Sequence, residues 1–279
     1  MQRSSPGGGG ARDWIDTLPV ELVIQKRLLS ALLDALEPDP RFEWCELCCS
    51  VAEGRGDALS DLDVGLGWVG HGEPPVEAVT ALLAVIGSPI EIAHAPWEGT
   101  PRWWAVYADG SQLDLVLMPA AIRPGRAPGS IALLDRAGRL AAIFEPRPLR
   151  ARPGEPREWL LDGWEALANV AKFLRRGALH EAFDQLGRAR GRVFQLHAQA
   201  AGLPYPVFGL TTLLDAPVPE LPAGIDATYP LLSEPSLRAA ALAAADLLVA
   251  EGVRADAGQT PLASWVRGFL DDRLDTSHA

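Results

Sequence analysis

Hydrophobic and polar positions change period along this chain, and the changes divide it. From Asp13 to Leu36 apolar residues recur at helical spacing, Ile24, Leu28, Leu32 and Ala35 among them. Pro19 suits a first turn and Pro38 and Pro40 close the run, so one amphipathic helix packed across a sheet is predicted. Arg41–Cys49 is apolar and aromatic-rich, through Phe42, Trp44, Cys45, Leu47 and Cys48, and predicts a buried first strand. Leu62, Val64, Leu66 and Trp68 then alternate with other residues, the period of a half-buried strand expected to pair beside the first. After a break at Gly70–Pro75, Val76, Val79, Leu82, Leu83 and Ile86 fit a short helix ending at Gly87. Ile90–Ala95, Arg102–Ala108 and Ser111–Met118 read as extended segments. The last two flank Asp109-Gly110, the dipeptide favoured in a two-residue hairpin turn.

Ala120–Pro156 is rich in proline, glycine and arginine, with one short apolar run at Ile131–Leu134, and reads as a linker plus a peripheral strand. Beyond Pro153 the period is helical. Trp159, Leu160, Gly163, Trp164, Leu167, Val170, Ala171 and Leu174 form one stripe ending at Gly177, and a second helix runs from Leu179 to Ala201. Ser233–Glu251 and Thr260–Leu274 each begin with an N-cap residue close to a proline. The expected fold class is α+β: a small mixed β-sheet domain flanked by helices over 13–152, followed by an α-helical bundle over 153–279. The segment 1–12 is expected to be disordered, since its serine and glycine cluster lacks an apolar core.

Composition narrows the function. A chain of 279 residues with 48% hydrophobic content has ample material for two cores. A net charge of −11 and a pI near 4.9 argue against non-specific nucleic-acid binding, which is built from lysine and arginine contacts to phosphates. The same acidic field would concentrate a cationic small substrate. The longest apolar run, Ala239–Ala250, is interrupted by Asp246 and too short to span a bilayer, so no membrane partner and a cytoplasmic location are expected. Cys45-x-x-Cys48 invites a redox or zinc reading. No second Cys/His pair at suitable spacing exists among His71, His94, His180, His197 and His278, so Cys45, Cys48 and Cys49 are expected to be free thiols of the first strand.

The chemistry concentrates in Cys49–Leu66. If Leu62 and Val64 face a core, Asp61 and Asp63 share the opposite face, about 6.5 Å apart by rise, close enough to converge on divalent cations. The preceding loop, with Ser50, Gly54 and Gly56, lets backbone N–H groups approach an anion. Phosphate cradle and carboxylates together suggest a metal–nucleotide site. Asp114 is an acid midway along an apolar strand. It needs either a place in the same metal cluster or a cationic or hydrogen-bonding partner such as a neighbouring arginine or Tyr107, with Glu91 the fallback third acid.

Ser50-x-Ala52-x-Gly54 followed by Ser60-Asp61-x-Asp63 resembles the signature of the DNA polymerase beta-like nucleotidyltransferase superfamily, particularly its antibiotic-modifying (aminoglycoside and lincosamide) adenylyltransferases. The motif covers roughly residues 41–118, the helical remainder matching by layout. One departure is Cys49, where the family usually has glycine. The resemblance implies transfer of AMP from ATP to a hydroxyl of a small, cationic molecule, with release of pyrophosphate. It implies Asp61, Asp63 and Asp114 as catalytic residues and ligands of two Mg2+ ions, and Ser50, Gly54 and Ser60 as nucleotide-binding residues. Lys172, Arg175, Arg176, Arg188, Arg190 and Arg192 are candidates for the triphosphate or simply solvated helix faces. The alternatives are a protein-AMPylating toxin of the same chemistry and a non-enzymatic nucleotide-binding module.

Overall fold

The computed structural model describes residues 10–70, 75–96, 99–145 and 147–271, and the chain divides into two compact units, Met1–Glu145 and Pro146–Ala279. The expected boundary near Pro153 lies inside the second unit. The Gly70–Pro75 break, His71, Leu274 and His278 fall wholly or partly outside the described residues.

The first unit is a six-stranded sheet in the order β3-β4-β5-β2-β1-β6. Its elements in sequence are α1 (Gly10–Asp16), α2 (Val23–Leu36), β1 (Phe42–Cys48), α3 (Cys49–Ala52), β2 (Leu62–Trp68), α4 (Val76–Val85), β3 (Pro89–His94), β4 (Arg102–Tyr107), β5 (Gln112–Pro119) and β6 (Ile131–Asp135). β2 and β5 run parallel and every other pair is antiparallel, which makes the sheet mixed. Alternation does what the sequence requires. Cys45 and Leu47 of β1, Val64 and Leu66 of β2, Leu115 and Leu117 of β5 and Trp103 of β4 are buried in one core with Leu28, Leu29, Leu32 and Leu33 of α2 and Val79 and Leu83 of α4. The side chains between them therefore share the other face.

Three expectations need correction. The helix foreseen over Asp13–Leu36 is two, because Pro19 has no N–H to give and restricts the residue before it; Pro19 itself is extended, at φ −54 and ψ 154. The disorder expected through Arg12 does not hold for Gly10–Arg12, which begin α1, with Ile15 buried in the core; Met1–Gly9 lie outside the described residues. The β4–β5 hairpin closes through three residues, Ala108–Gly110, rather than two. Gly110 N–H bonds the Tyr107 carbonyl, Tyr107 N–H bonds the Ser111 carbonyl at 2.9 Å, and Gly110 takes φ +85 as the left-handed residue such loops need.

On the second sheet face Trp44 lies flat across β2, with its Nε1 3.3 Å from the Ala120 carbonyl. A Cβ at Gly67 would stand 2.1 Å from the Trp44 ring and one at Gly65 3.4 Å from it, so these glycines make the close approach possible. Gly67→Ala is expected to cost about 3 kcal/mol by displacing a buried tryptophan. A thermal melt checks this, and an unchanged midpoint would mean that the ring moves aside freely.

The second unit is helical: α5 (Glu155–Arg175), α6 (Leu179–Ala200), α7 (Leu210–Leu214), α8 (Glu234–Arg254) and α9 (Leu262–Asp271). Trp164, Leu167 and Val170 of α5, Leu186, Val193 and Leu196 of α6, and Leu237, Ala241, Ala244 and Leu248 of α8 form its core. Among its buried polar groups, Glu251 holds His197 Nδ1 at 3.0 Å and Arg254 Nη1 at 2.9 Å. No described helix is long and apolar enough to cross a membrane.

Candidate active site

The site is built where β1 turns through α3 into β2. Ser50 sits in the first turn of α3. Gly54, at φ +74 with open space where a Cβ would be, ends that turn, while Arg55 N–H returns to the Ser50 carbonyl at 2.8 Å. Its glycine is needed for backbone conformation. Gly56 has a different reason: a Cβ there would lie 2.8 Å from Val51 Cγ2.

The loop into β2 is pinned from two sides. Ser60 Oγ accepts the Asp57 N–H at 2.9 Å and donates to Asp57 Oδ1, which also accepts the Leu59 N–H at 2.9 Å. Buried Gln25 on α2 donates to the Ser60 carbonyl at 2.8 Å. The Ser60 hydroxyl thus closes the turn that delivers Asp61, a position-setting task distinct from the nucleotide contact expected of it.

β2 and β5 then bring the acids together. Asp63 and Asp114 are register partners across the parallel pair, both half-buried on the second face, with Asp61 exposed just before β2. The Asp63 carboxyl is pushed up to about 6, first by burial, then by the charge of Asp61 and, less strongly, of Asp114. A hydrogen bond from the Cys49 thiol and the charge of Arg102 oppose this without cancelling it. Asp63 is therefore an acid whose negative charge the surrounding protein leaves undercompensated.

Asp114 is not in that position. Arg102, at the start of β4, holds it through a fork, Nε standing 2.7 Å from Oδ1 and 2.9 Å from Oδ2, with Nη2 also on Oδ2. The cationic partner foreseen as the structural alternative for Asp114 is present, and it is Arg102 rather than Tyr107, whose hydroxyl donates to the Leu83 carbonyl. With Asp114 held by Arg102, no group of three His, Cys, Asp or Glu side chains among the described residues is arranged to hold a metal ion. Glu91 lies exposed on the edge strand β3, with β4 and β5 between it and β2.

The sequence points to a neighbouring arginine without singling out Arg102, although a signal for it exists. Once the hairpin aligns Trp104 with Asp114 and Arg102 with Val116, Arg102 is the diagonal same-face neighbour of Asp114, within reach of a long side chain. Glu46 and Arg123 were missed. Glu46, buried on β1 opposite Gly65, is ion-paired with Arg123 on the same sheet face.

Cys49, standing where glycine is usual in the resembled signature, has φ +60, a left-handed conformation that costs a residue with a Cβ about 1–2 kcal/mol. Its thiol is held protonated by desolvation and by the neighbouring charge of Asp63. Cys49→Gly removes the strain and the thiol hydrogen bond and adds backbone freedom to the unfolded chain. The expected net is a gain of up to about 1 kcal/mol with nucleotide affinity retained. A melt and a titration check this; a clear loss in both would assign the thiol a role of its own. Cys45 faces the core and Cys48 the opposite side of β1, so the two thiols of the Cys-x-x-Cys spacing point apart, and all three cysteines are free.

In the helical unit Arg176 is the C-cap residue of α5, and the other basic candidates have local side-chain partners. Arg188 and Arg192 both bind Asp162, Arg190 donates to the Thr228 carbonyl at 2.8 Å and stacks on Tyr229, Lys172 bonds Asn169 Oδ1 at 2.6 Å, and Arg175 lies over the Phe269 ring.

No family model matches the chain, and no curated protein matches it. Among solved structures, an aminoglycoside 6-adenyltransferase from Bacillus subtilis is similar at 15% identity, covering 88% of this chain and 96% of its own, with a TM-score of 0.36. An overlap of that quality does not define a shared fold.

Proposed function

We propose that this protein transfers a nucleoside monophosphate, AMP from ATP, to a hydroxyl of a small cationic molecule and releases pyrophosphate. The observation that carries the reading is the in-register pair Asp63 and Asp114 beside Asp61, with the Asp63 carboxyl raised to about 6, at the exit of the Ser50–Gly54 loop. Asp63 supplies an undercompensated carboxylate, a hard oxygen donor that fits Mg2+, and Asp61, Asp63 and, once released by Arg102, Asp114 are the residues that would hold it. Such a dication supplies Lewis-acid stabilisation of charge on the phosphoryl oxygens.

The chain's own groups supply the rest. The first N–H groups of α3, around Ser50, receive the triphosphate, Gly54 gives the loop its turn, and Asp61 and Asp63 would hold the cation that offsets its charge. Asp114 accepts the proton as the acceptor hydroxyl attacks the α-phosphorus and the bond to the pyrophosphate oxygen breaks. The net charge of −11 favours a polyamine-like acceptor of aminoglycoside type. A panel of such acceptors incubated with α-labelled ATP and Mg2+, read by mass spectrometry for the gain of one nucleotidyl group, tests the reading, and no product across hydroxyl acceptors of every charge would reject it.

The Arg102–Asp114 fork favours a second reading, a nucleotide-binding module in which Asp114 is structural. Pyrophosphate release separates the two, since the second reading gives none.

A further inference from the structure

We propose that Arg102 is the resting counter-ion of the carboxylate site and must release Asp114 when a divalent cation enters, so that metal affinity is set by competition with a guanidinium built into β4. The inference rests on the reading of Asp61, Asp63 and Asp114 as a cation site. Both Asp114 oxygens accept from Arg102, and a fork of this kind occupies the lone pairs that lie in the carboxylate plane, where a metal would bind. The charge of Arg102 also acts on Asp63. A dication approaching the pair meets a fixed positive charge in contact with one of its own ligands, and the two cannot hold the same oxygens.

The position suits a residue that moves. Arg102 is the first residue of β4, its side chain is 41% exposed while that of Asp114 is 20% exposed, and its outward neighbour on the same strand face, Trp104, is also exposed. The guanidinium can leave the fork for solvent without crossing the core. Once released it stands at the edge of the site with donors suited to phosphate oxygens. Nucleotide entry with the metal would then compensate for the lost ion pair, whereas metal alone would not. The device would keep the site closed to stray cations until the triphosphate arrives.

The test reads metal binding directly, by the free Mn2+ electron paramagnetic resonance signal, on the full chain without nucleotide. Arg102→Gln is expected to bind Mn2+ at least tenfold more tightly than the unaltered protein, and Arg102→Lys, which keeps the charge but loses the fork, to fall between them. Asp63→Asn is expected to lose the site. Unchanged or weaker Mn2+ binding in a folded Arg102→Gln, with loss in Asp63→Asn, would overturn the counter-ion role and leave the cation site standing. Should Arg102→Gln fail to fold, Arg102→Lys decides, and affinity equal to the unaltered protein rejects the proposal. Asp63→Asn binding Mn2+ as well as the unaltered protein would instead reject the cation site, and the proposal with it.

Discussion

Asp63→Asn is expected to abolish nucleotidyl transfer and at the same time make the folded protein more stable at pH 8. The two effects have one cause. Burial, with Asp61 and Asp114 adding to it, raises the Asp63 carboxyl from 3.8 to about 6. Between those values the native state binds more protons than the unfolded chain, so stability falls as pH rises through that window. Above about pH 6 the ionised carboxylate carries the full penalty, about 3 kcal/mol from a shift of roughly two pH units, less whatever partial exposure relieves. Asparagine has the same shape and no charge, and removes that penalty. It also removes the carboxylate oxygen with most to gain from a cation, and in the proposed reaction such a loss would cost several kcal/mol of transition-state stabilisation. Denaturation of mutant and parent at pH 5 and pH 8, with turnover on the same preparations, checks both halves. The stability difference between them should shrink at pH 5. A mutant less stable than the parent at pH 8 that still turns over normally would remove Asp63 from the site.

That the two sheet faces were legible in advance follows from the strictness of the strand period. Leu62, Val64, Leu66 and Trp68 can be buried together only if Asp61 and Asp63 face away, and the same holds for Leu113, Leu115 and Leu117 against Asp114. What period cannot reveal is which strands become neighbours. The parallel pairing of β2 with β5, which sets Asp63 beside Asp114, joins segments separated by α4, β3 and β4, and no local pattern encodes it. Helix continuity failed at Pro19 for a local reason, since the apolar spacing of Asp13–Leu36 persists across a residue that cannot continue the hydrogen-bond ladder. The charge partners were hardest to see. The sequence marks Asp114 as an acid in need of a metal or of a cationic or hydrogen-bonding partner, but the choice among them depends on hairpin register, and a loop one residue longer than expected sets that register.

Glu46 shows the opposite balance on the same sheet face, and Glu46→Gln is expected to lower stability by about 3–5 kcal/mol while leaving the activity of each folded molecule near normal. Glu46 is 1% exposed and fully engaged: Arg123 pairs with Oε2, while the Ala127 N–H at 2.7 Å and the Ser130 hydroxyl donate to Oε1. Arg123 lies between the Trp44 and Phe144 rings, at 5.8 and 4.8 Å, with its Nε buried and unbonded. Without the glutamate charge, a guanidinium whose side chain is only 15% exposed loses its counter-ion, and the amide turns an NH2 group toward donors. The segment from Ala120 to Ser130, which covers Trp44 and with it Gly65 and Gly67, loses its anchor. Two acids on adjacent strands thus respond in opposite directions to the same loss of charge: Asp63 because its charge is undercompensated, Glu46 because its charge is matched. The double mutant Glu46→Gln/Arg123→Met separates a true pair from two independent losses. Removing both charges should restore much of the stability, because the cost lies in the unpaired survivor rather than in the missing bond. Additive destabilisation in the double mutant would mean that Glu46 acts through Ala127 and Ser130 alone.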